Sequence, residues 1–225
     1  MTVKIVVGFG ANKNILTASE IANENKDLEV KIAKSDEELI AAFKDKTIDV
    51  VVRGSLNSSN IIKSIKELTN LHTNDAPIIS RASYIKKENE GKKGYEFLIG
   101  PVGIDEGNTI AERVELGVES AKFMKKLGKT PKIAILAGGR KEDLGRNETI
   151  DKSIKDSEEI AIMVEKELSK QEFKFSIKNY YILIEKSIKD KNNIIIAPDG
   201  ISGNLIFRSL VLLNFCPSYG AITFG

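Results

Sequence analysis

The chain has 225 residues, with 34 Lys and Arg against 32 Asp and Glu, a formal net charge of +2, and 41% hydrophobic and 29% charged residues. That balance belongs to an ordered globular protein long enough for one large or two small domains, and it gives no electrostatic case for nucleic acid. One Cys and one His exclude an internal disulfide, a multi-cysteine zinc centre and a His-rich metal site.

Lys4–Phe9 reads as an opening strand rather than a signal peptide, and no apolar run approaches the roughly 18 residues that span a bilayer. A cytoplasmic protein without membrane or nucleic-acid partners is therefore expected. Ala11–Asn25 follows as a helix, with Ile15, Ala18, Ile21 and Ala22 on one face. Leu28–Ala33 is the second strand, and Ser35–Glu38 has the form of a capping box for a helix bearing Leu39, Ile40 and Phe43. Ile48–Val52 is a β-branched run expected as a buried strand, and Asn57–Leu68 a helix. Strand and helix in alternation argue for a parallel α/β sheet.

Pro77–Ile85 and Tyr95–Ile99 are strand-like and joined by a charged, Gly-containing connection, which predicts an antiparallel hairpin. Pro101, Gly103 and Gly107 then break the pattern, and a domain boundary is expected there. The expected division is 1–105 plus 216–225 for one α/β domain and 106–215 for the other. Thr109–Glu112 is a second capping box, opening a helix to about Leu127. A strand at Lys132–Ala137, a polar loop over Gly138–Asn147, and helices at Ile150–Leu168 and Tyr180–Ile188 follow. Asn193–Ala197 reads as a buried strand, Gly200–Leu213 as a helix and Ala221–Phe224 as a last strand.

Ligands in open α/β sheets bind beyond the carboxyl ends of strands. Four such ends carry Gly and polar residues: Gly8–Lys13, Arg53–Ser59, Gly138–Asn147 and Asp199–Asn204. Glycine admits close backbone approach, and arginine adds a planar positive fork suited to phosphate or carboxylate. A small-molecule anion is the expected ligand, with Arg53, Ser55, Gly138, Gly139, Arg140, Gly145, Asn147, Asp199, Gly200, Ser202, Gly203 and Asn204 as candidate ligand-binding residues. Any one of these loops is equally the make-up of a tight strand-to-helix turn. Arg53 and Arg140 are expected to converge on one anion. No P-loop, complete dinucleotide fingerprint, nucleophile elbow or metal-ligand spacing occurs, so no catalytic residue is assigned. His72 reads as a loop residue, Cys216 as a small hydrophobe, and Arg81 as an edge residue or one pointing into a cleft.

The segment 193–208, a strand followed by Asp199-Gly200, Gly203-Asn204 and a basic Arg208, resembles the D-G-x-x-G-N-x-x-x-K segment of PlsX phosphate acyltransferases. It is also similar to the P-D-x-x-x-G-N segment of phosphate acetyl- and butyryltransferases. The strand and loop of 131–148 are similar to the PlsX G-x-E-x-x-K-G-N-E region, and 48–59 to a strand with a small-residue loop in both families. The short length and the Arg53-Gly-Ser55 variant look most like the archaeal MtxX group, which is named for association with methanogen methyltransfer genes. The resemblance implies a two-domain isocitrate/isopropylmalate dehydrogenase-like fold with an interdomain cleft, and a homodimer. It also implies binding of phosphate, acyl phosphate or coenzyme A, with methyltransferase subunits as partners. In the acetyltransferases a Ser-Arg pair and a nearby Asp follow the final strand. Here the sequence stops at Gly225, and Ala137–Gly139 stands where those enzymes have a Ser/Thr-rich loop. Two readings stand: a group-transfer enzyme working by positioning and charge, or a non-catalytic accessory protein of a methyltransferase system. Methyl transfer itself enters only through the group's name.

Overall fold

The computed structural model describes residues 2–70, 80–89 and 92–224. The chain divides into two compact units, Met1–Pro77 and Ile78–Gly225. His72 and the start of the expected strand at Pro77 lie outside the described residues.

In the first unit, strands β1 (Val3–Gly8), β2 (Leu28–Ala33) and β3 (Val50–Val52) form a parallel sheet in the order β2-β1-β3. Helices α1 (Asn14–Asn23), α2 (Asp36–Lys44) and α3 (Ser58–Asn70) complete it. Ser35 caps α2 through its side chain, which accepts the Glu38 N–H, while Glu38 accepts the Lys34 N–H. Val6, Ala33, Leu39, Leu56 and Ile61 make the core. β3 is an edge strand here, so Val50 and Val52 remain 41% exposed rather than buried on both faces as expected.

The second unit is built on six strands in the order β7-β6-β8-β5-β4-β9: β4 (Ser80–Asn89), β5 (Lys92–Gly100), β6 (Lys132–Leu136), β7 (Ser176–Tyr181), β8 (Ile194–Ile196) and β9 (Ser218–Phe224). Strands β5 to β8 run parallel; β4 is antiparallel to both β5 and β9. Alternate side chains go to opposite faces. Ile133, Ile135, Ile194 and Ile196 pack with α4 (Ile110–Lys126) and α5 (Glu148–Leu168). Ala134, Leu136 and Ile195 face the other layer, which holds α6 (Ile184–Lys189) and α7 (Gly200–Arg208). Cys216 packs against that second layer and is half-buried.

Two expectations are corrected. The boundary placed in 101–107 falls inside the second unit, because the hairpin β4–β5 and strand β9 are hydrogen-bonded into the sheet of β6–β8. Gly100 pairs with Ile196, so 101–107 is a connection at the sheet's edge rather than a linker. The helix expected at Tyr180–Ile188 begins only at Ile184. Tyr180 and Tyr181 end β7, where the sheet's demand for a partner beside β6 overrides their helix-like spacing.

Among the described residues no helix is long and apolar enough to cross a membrane.

Candidate functional site

The two units repeat one strand order. In each, a first strand is followed by a neighbour on one side and then by a neighbour on the other: β1, β2, β3 in the first, β6, β7, β8 in the second. The strand order, not the strand direction, reverses between β1 and β3 and between β6 and β8, all of which stay parallel. Such reversals part the two connections and leave a crevice at the carboxyl ends of the strands.

At the first reversal, Gly8 and Gly54 touch backbone to backbone. A Cβ on Gly54, whose φ is +60°, would meet the Gly8 carbonyl oxygen at 2.0 Å. Only glycine fits that contact at that dihedral. Ser55 Oγ accepts the Gly10 N–H at 2.8 Å, locking the two connections together. The Arg53 guanidinium donates to the Leu56 carbonyl of its own loop. Lys13 and Arg53 are both exposed on these connections.

At the second reversal, Ile135 pairs with Ile196, so Gly138 and Asp199 emerge side by side three residues beyond that pair. Gly138, Gly139 and Arg140 therefore share one edge with Asp199, Gly200 and Ser202. The Arg140 side chain is exposed. The backbone donors of this loop are already engaged. Gly138 N–H donates to Ser153 Oγ, Arg140 N–H to Asp143 and Gly145 N–H to Asp151, each at 2.8 Å. The Arg140 N–H and the Arg146 guanidinium hold the Asp143 carboxyl below the usual carboxylate range. Asn147 caps α5 by accepting the Thr149 N–H. Gly145, at φ +89°, makes the turn. Gly139 is buried against Ile150. Gly145 and Asn147 thus shape the loop, and the charge offered outward is the Arg140 guanidinium.

The β8–α7 turn is built for contact with protein. Asp199 caps α7, accepting the Ser202 N–H at 2.8 Å and the Ser202 hydroxyl at 3.0 Å. A Cβ at Gly200 would meet the Gly103 carbonyl oxygen at 1.7 Å, and one at Gly203 the Pro101 carbonyl oxygen at 1.9 Å. Asn204 Nδ2 donates to the Val102 carbonyl at 2.8 Å. Gly200, Gly203 and Asn204 therefore seat α7 on the connection after β5. That seating leaves Asp199 and Ser202 at the reversal.

Sequence reasoning singled out Arg81 but not its partner Glu106, which is 3% exposed. Glu106 accepts the Arg81 Nε–H at 2.5 Å, the Arg81 N–H at 2.9 Å and the Gly103 N–H at 3.3 Å. An arginine in a strand of small and apolar residues was the available signal, since buried charge requires a partner. Among the described residues no group of His, Cys, Asp or Glu could hold a metal ion.

No family model matches the chain. An uncharacterized methyltransferase of Methanocaldococcus jannaschii is 36% identical over 99% of this chain and 86% of its own length. The "Putative methyltransferase mtx subunit X" of Methanosarcina acetivorans is 33% identical over 96% of this chain and 72% of its own. Among solved structures, a branched-chain phosphotransacylase from Enterococcus faecalis superposes with a TM-score of 0.66 at 17% identity, covering all of this chain and 89% of that one. A phosphotransacetylase from Staphylococcus aureus gives 0.62 at 13% identity, over all of this chain and 86% of that one. A β-decarboxylating dehydrogenase from Thermococcus kodakarensis gives 0.54 at 9% identity, over 99% of this chain and 74% of that one. These structures share the fold, the α/β architecture of phosphate acyltransferases and of the isocitrate dehydrogenase-like enzymes. By sequence, the chain belongs to the archaeal family of the methyltransferase mtx subunit X proteins.

Proposed function

We propose that the protein binds phosphate, acyl phosphate or a phosphorylated cofactor such as coenzyme A, and acts in acyl-type group transfer associated with a methanogen methyltransfer system. The observation that carries this reading is the doubled strand reversal with an exposed arginine beside each: Arg53 after β3, Arg140 after β6. Guanidinium and hydroxyl groups suit an oxyanion, and in this reading Arg53 serves at the first unit's reversal and Arg140 with Ser202 at the second's. Catalysis would come from placing two substrates together and stabilising charge on the transferring group, with no covalent nucleophile.

A second reading, a binding or accessory subunit without turnover, is favoured by the engaged loop donors. Asp143 and Asp151 take the N–H groups that an anion cradle would offer. Calorimetry with phosphate, acetyl phosphate and coenzyme A, beside an acyl-transfer assay, separates the two. Binding with turnover supports the first, binding alone supports the second, and no binding removes both. Arg53→Lys and Arg140→Ala should each weaken phosphate binding in a folded protein.

A homodimer is part of the same proposal. Ile201, Leu205, Leu213 and Phe215 leave 59%, 61%, 76% and 85% of their surface exposed on α7 and the turn after it. Leu205 also lines a groove of about 410 Å³ together with Ile184, Ile188, Ile206 and Leu210. Light scattering should give twice the chain mass, and Leu205→Glu with Leu213→Glu should halve it; an unchanged mass would exclude this face.

A further inference from the structure

We infer that Arg81 and Glu106 are positioning residues for the β8–α7 turn, acting through the connection 101–107. The chain of contacts is continuous. The Glu106 carboxylate draws together the Arg81 N–H and Nε–H on β4 and the Gly103 N–H. The Arg81 carbonyl accepts the Val102 N–H at 3.0 Å, so strand and connection are stitched in both directions. Gly103 must be glycine for this, because a Cβ there would lie 2.2 Å from the Arg81 Nη2 and 2.3 Å from the Glu106 carboxyl carbon. The connection so fixed presents its outer backbone to α7. The Glu106 carbonyl accepts the Gly200 N–H at 3.0 Å, and the Val102 carbonyl accepts the Asn204 amide. Gly200 and Gly203 lie against the carbonyls of Gly103 and Pro101.

The Arg81–Glu106 pair is not itself an anion site. Asp105 lies 3.6 Å from Arg81 Nη2, so two carboxylates already face one guanidinium. Its role is geometric. A carboxylate collecting three N–H groups has a fixed orientation, and that orientation is transmitted through backbone to the residues that start α7. Asp199 and Ser202 stand at the reversal only while that backbone surface holds its shape. This makes the Asp-Gly-x-x-Gly-Asn segment and Glu106 the two halves of one joint.

The test uses the full chain and two variants that reach the joint from opposite sides. Glu106→Gln keeps the shape and one accepting oxygen but puts an NH2 donor in place of the other, so the side chain can no longer accept from Arg81 Nε–H on one oxygen and from the Arg81 and Gly103 N–H groups on the other. Asn204→Ala removes only the side-chain bond to Val102. Site-resolved amide exchange should quicken by about tenfold at Gly200, Ser202 and Gly203 in both variants, with Ile154 and Ile160 of α5 unchanged. Exchange that quickens evenly across both segments, or at neither, overturns the inference. In the second arm, inorganic phosphate is titrated well below the unfolding temperature. Each folded variant should bind about tenfold more weakly than the parent, which a role in stability alone would not produce. Parental affinity with an altered turn would also overturn it. Only this arm rests on the anion-handling reading: if the parent binds no phosphate that reading fails, and the exchange pattern alone decides the positioning role.

Discussion

Replacing Gly203 by alanine tests the seating of α7 most directly. Gly203 lies inside the helix, where Gly→Ala gains about 1 kcal/mol from propensity alone. Against this, the new Cβ would sit 1.9 Å from the Pro101 carbonyl oxygen, a backbone atom. Contacts under 3.0 Å do not persist, so helix and connection must part by about an ångström. Such overpacking costs about 1–3 kcal/mol. The separation also stretches the Asn204–Val102 and Gly200–Glu106 hydrogen bonds, each worth about 0.5–1.5 kcal/mol. The balance is a net loss of about 1–5 kcal/mol, opposite in sign to the propensity effect. Urea unfolding of parent and variant measures it. Gly117→Ala on α4 serves as the comparison, since the nearest atoms its Cβ would meet are side-chain carbons, those of Val164 at 3.1 and 3.6 Å and Ile196 Cγ1 at 3.9 Å, rather than a backbone oxygen at 1.9 Å. A Gly203→Ala protein as stable as the parent would refute the close-approach argument.

Three further outcomes are expected. Lys129 donates to Glu96 and to Tyr84, and its hydrogen bond, with that of Tyr84, holds the Glu96 carboxyl below the usual range; burial opposes the Lys129 charge but the bonds to Glu96 and Tyr84 raise its pKa. Glu96 thus adds stability that is present above the ordinary carboxylate range and lost as pH falls through its lowered value, while Lys129 adds stability present below about 10.4 and lost as pH rises beyond it. The stability gap between parent and Lys129→Met should be about 1 kcal/mol near pH 7 and should shrink towards pH 3 in urea melts, because the pair is partly exposed. Arg113→Ala should cost about 3 kcal/mol in the same assay, removing the buried partner and leaving half-buried Asp156 with Lys152 alone, whereas Lys152→Ala should cost less than about 1 kcal/mol. Tyr181 has φ +56°, so Tyr181→Gly should unfold at higher urea than Tyr181→Val, whose branched Cβ adds to about 1–3 kcal/mol of strain.

The fold was legible where periodicity and local chemistry agree. The apolar runs at Lys132–Ala137 and Asn193–Ala197, and the capping signals at Ser35 and Thr109, correspond to elements that exist. β7 was hidden because Tyr180, Ile184 and Ile188 fall at helical spacing. What fixes the strand is pairing with β6 and the Asn179 amide bonded to Ser157 on α5. Strand ends rich in glycine marked both reversals, yet not what each glycine meets. Asn204 and Val102 stand 102 positions apart, and no local pattern announces that contact. The donors assigned to an anion around Gly138 turn out to serve Ser153, Asp143 and Asp151, acceptors that ordinary loop composition conceals.

The pairing of β4 with β9 has a consequence for how the chain is made. Ser80 lies opposite Phe224, so the outer edge of the hairpin waits for the partner strand synthesised after every other element of its sheet. The described strands and helices of the first unit are all made by residue 70, so its three-stranded sheet can form on the ribosome before the second unit is synthesised. The second must carry β4 with an open row of backbone groups through the synthesis of α4 to α7, the condition in which edge-to-edge association competes with folding. Its long-range closure places the slow step late, and nascent-chain length, rather than temperature, becomes the variable that decides between a finished sheet and an aggregate.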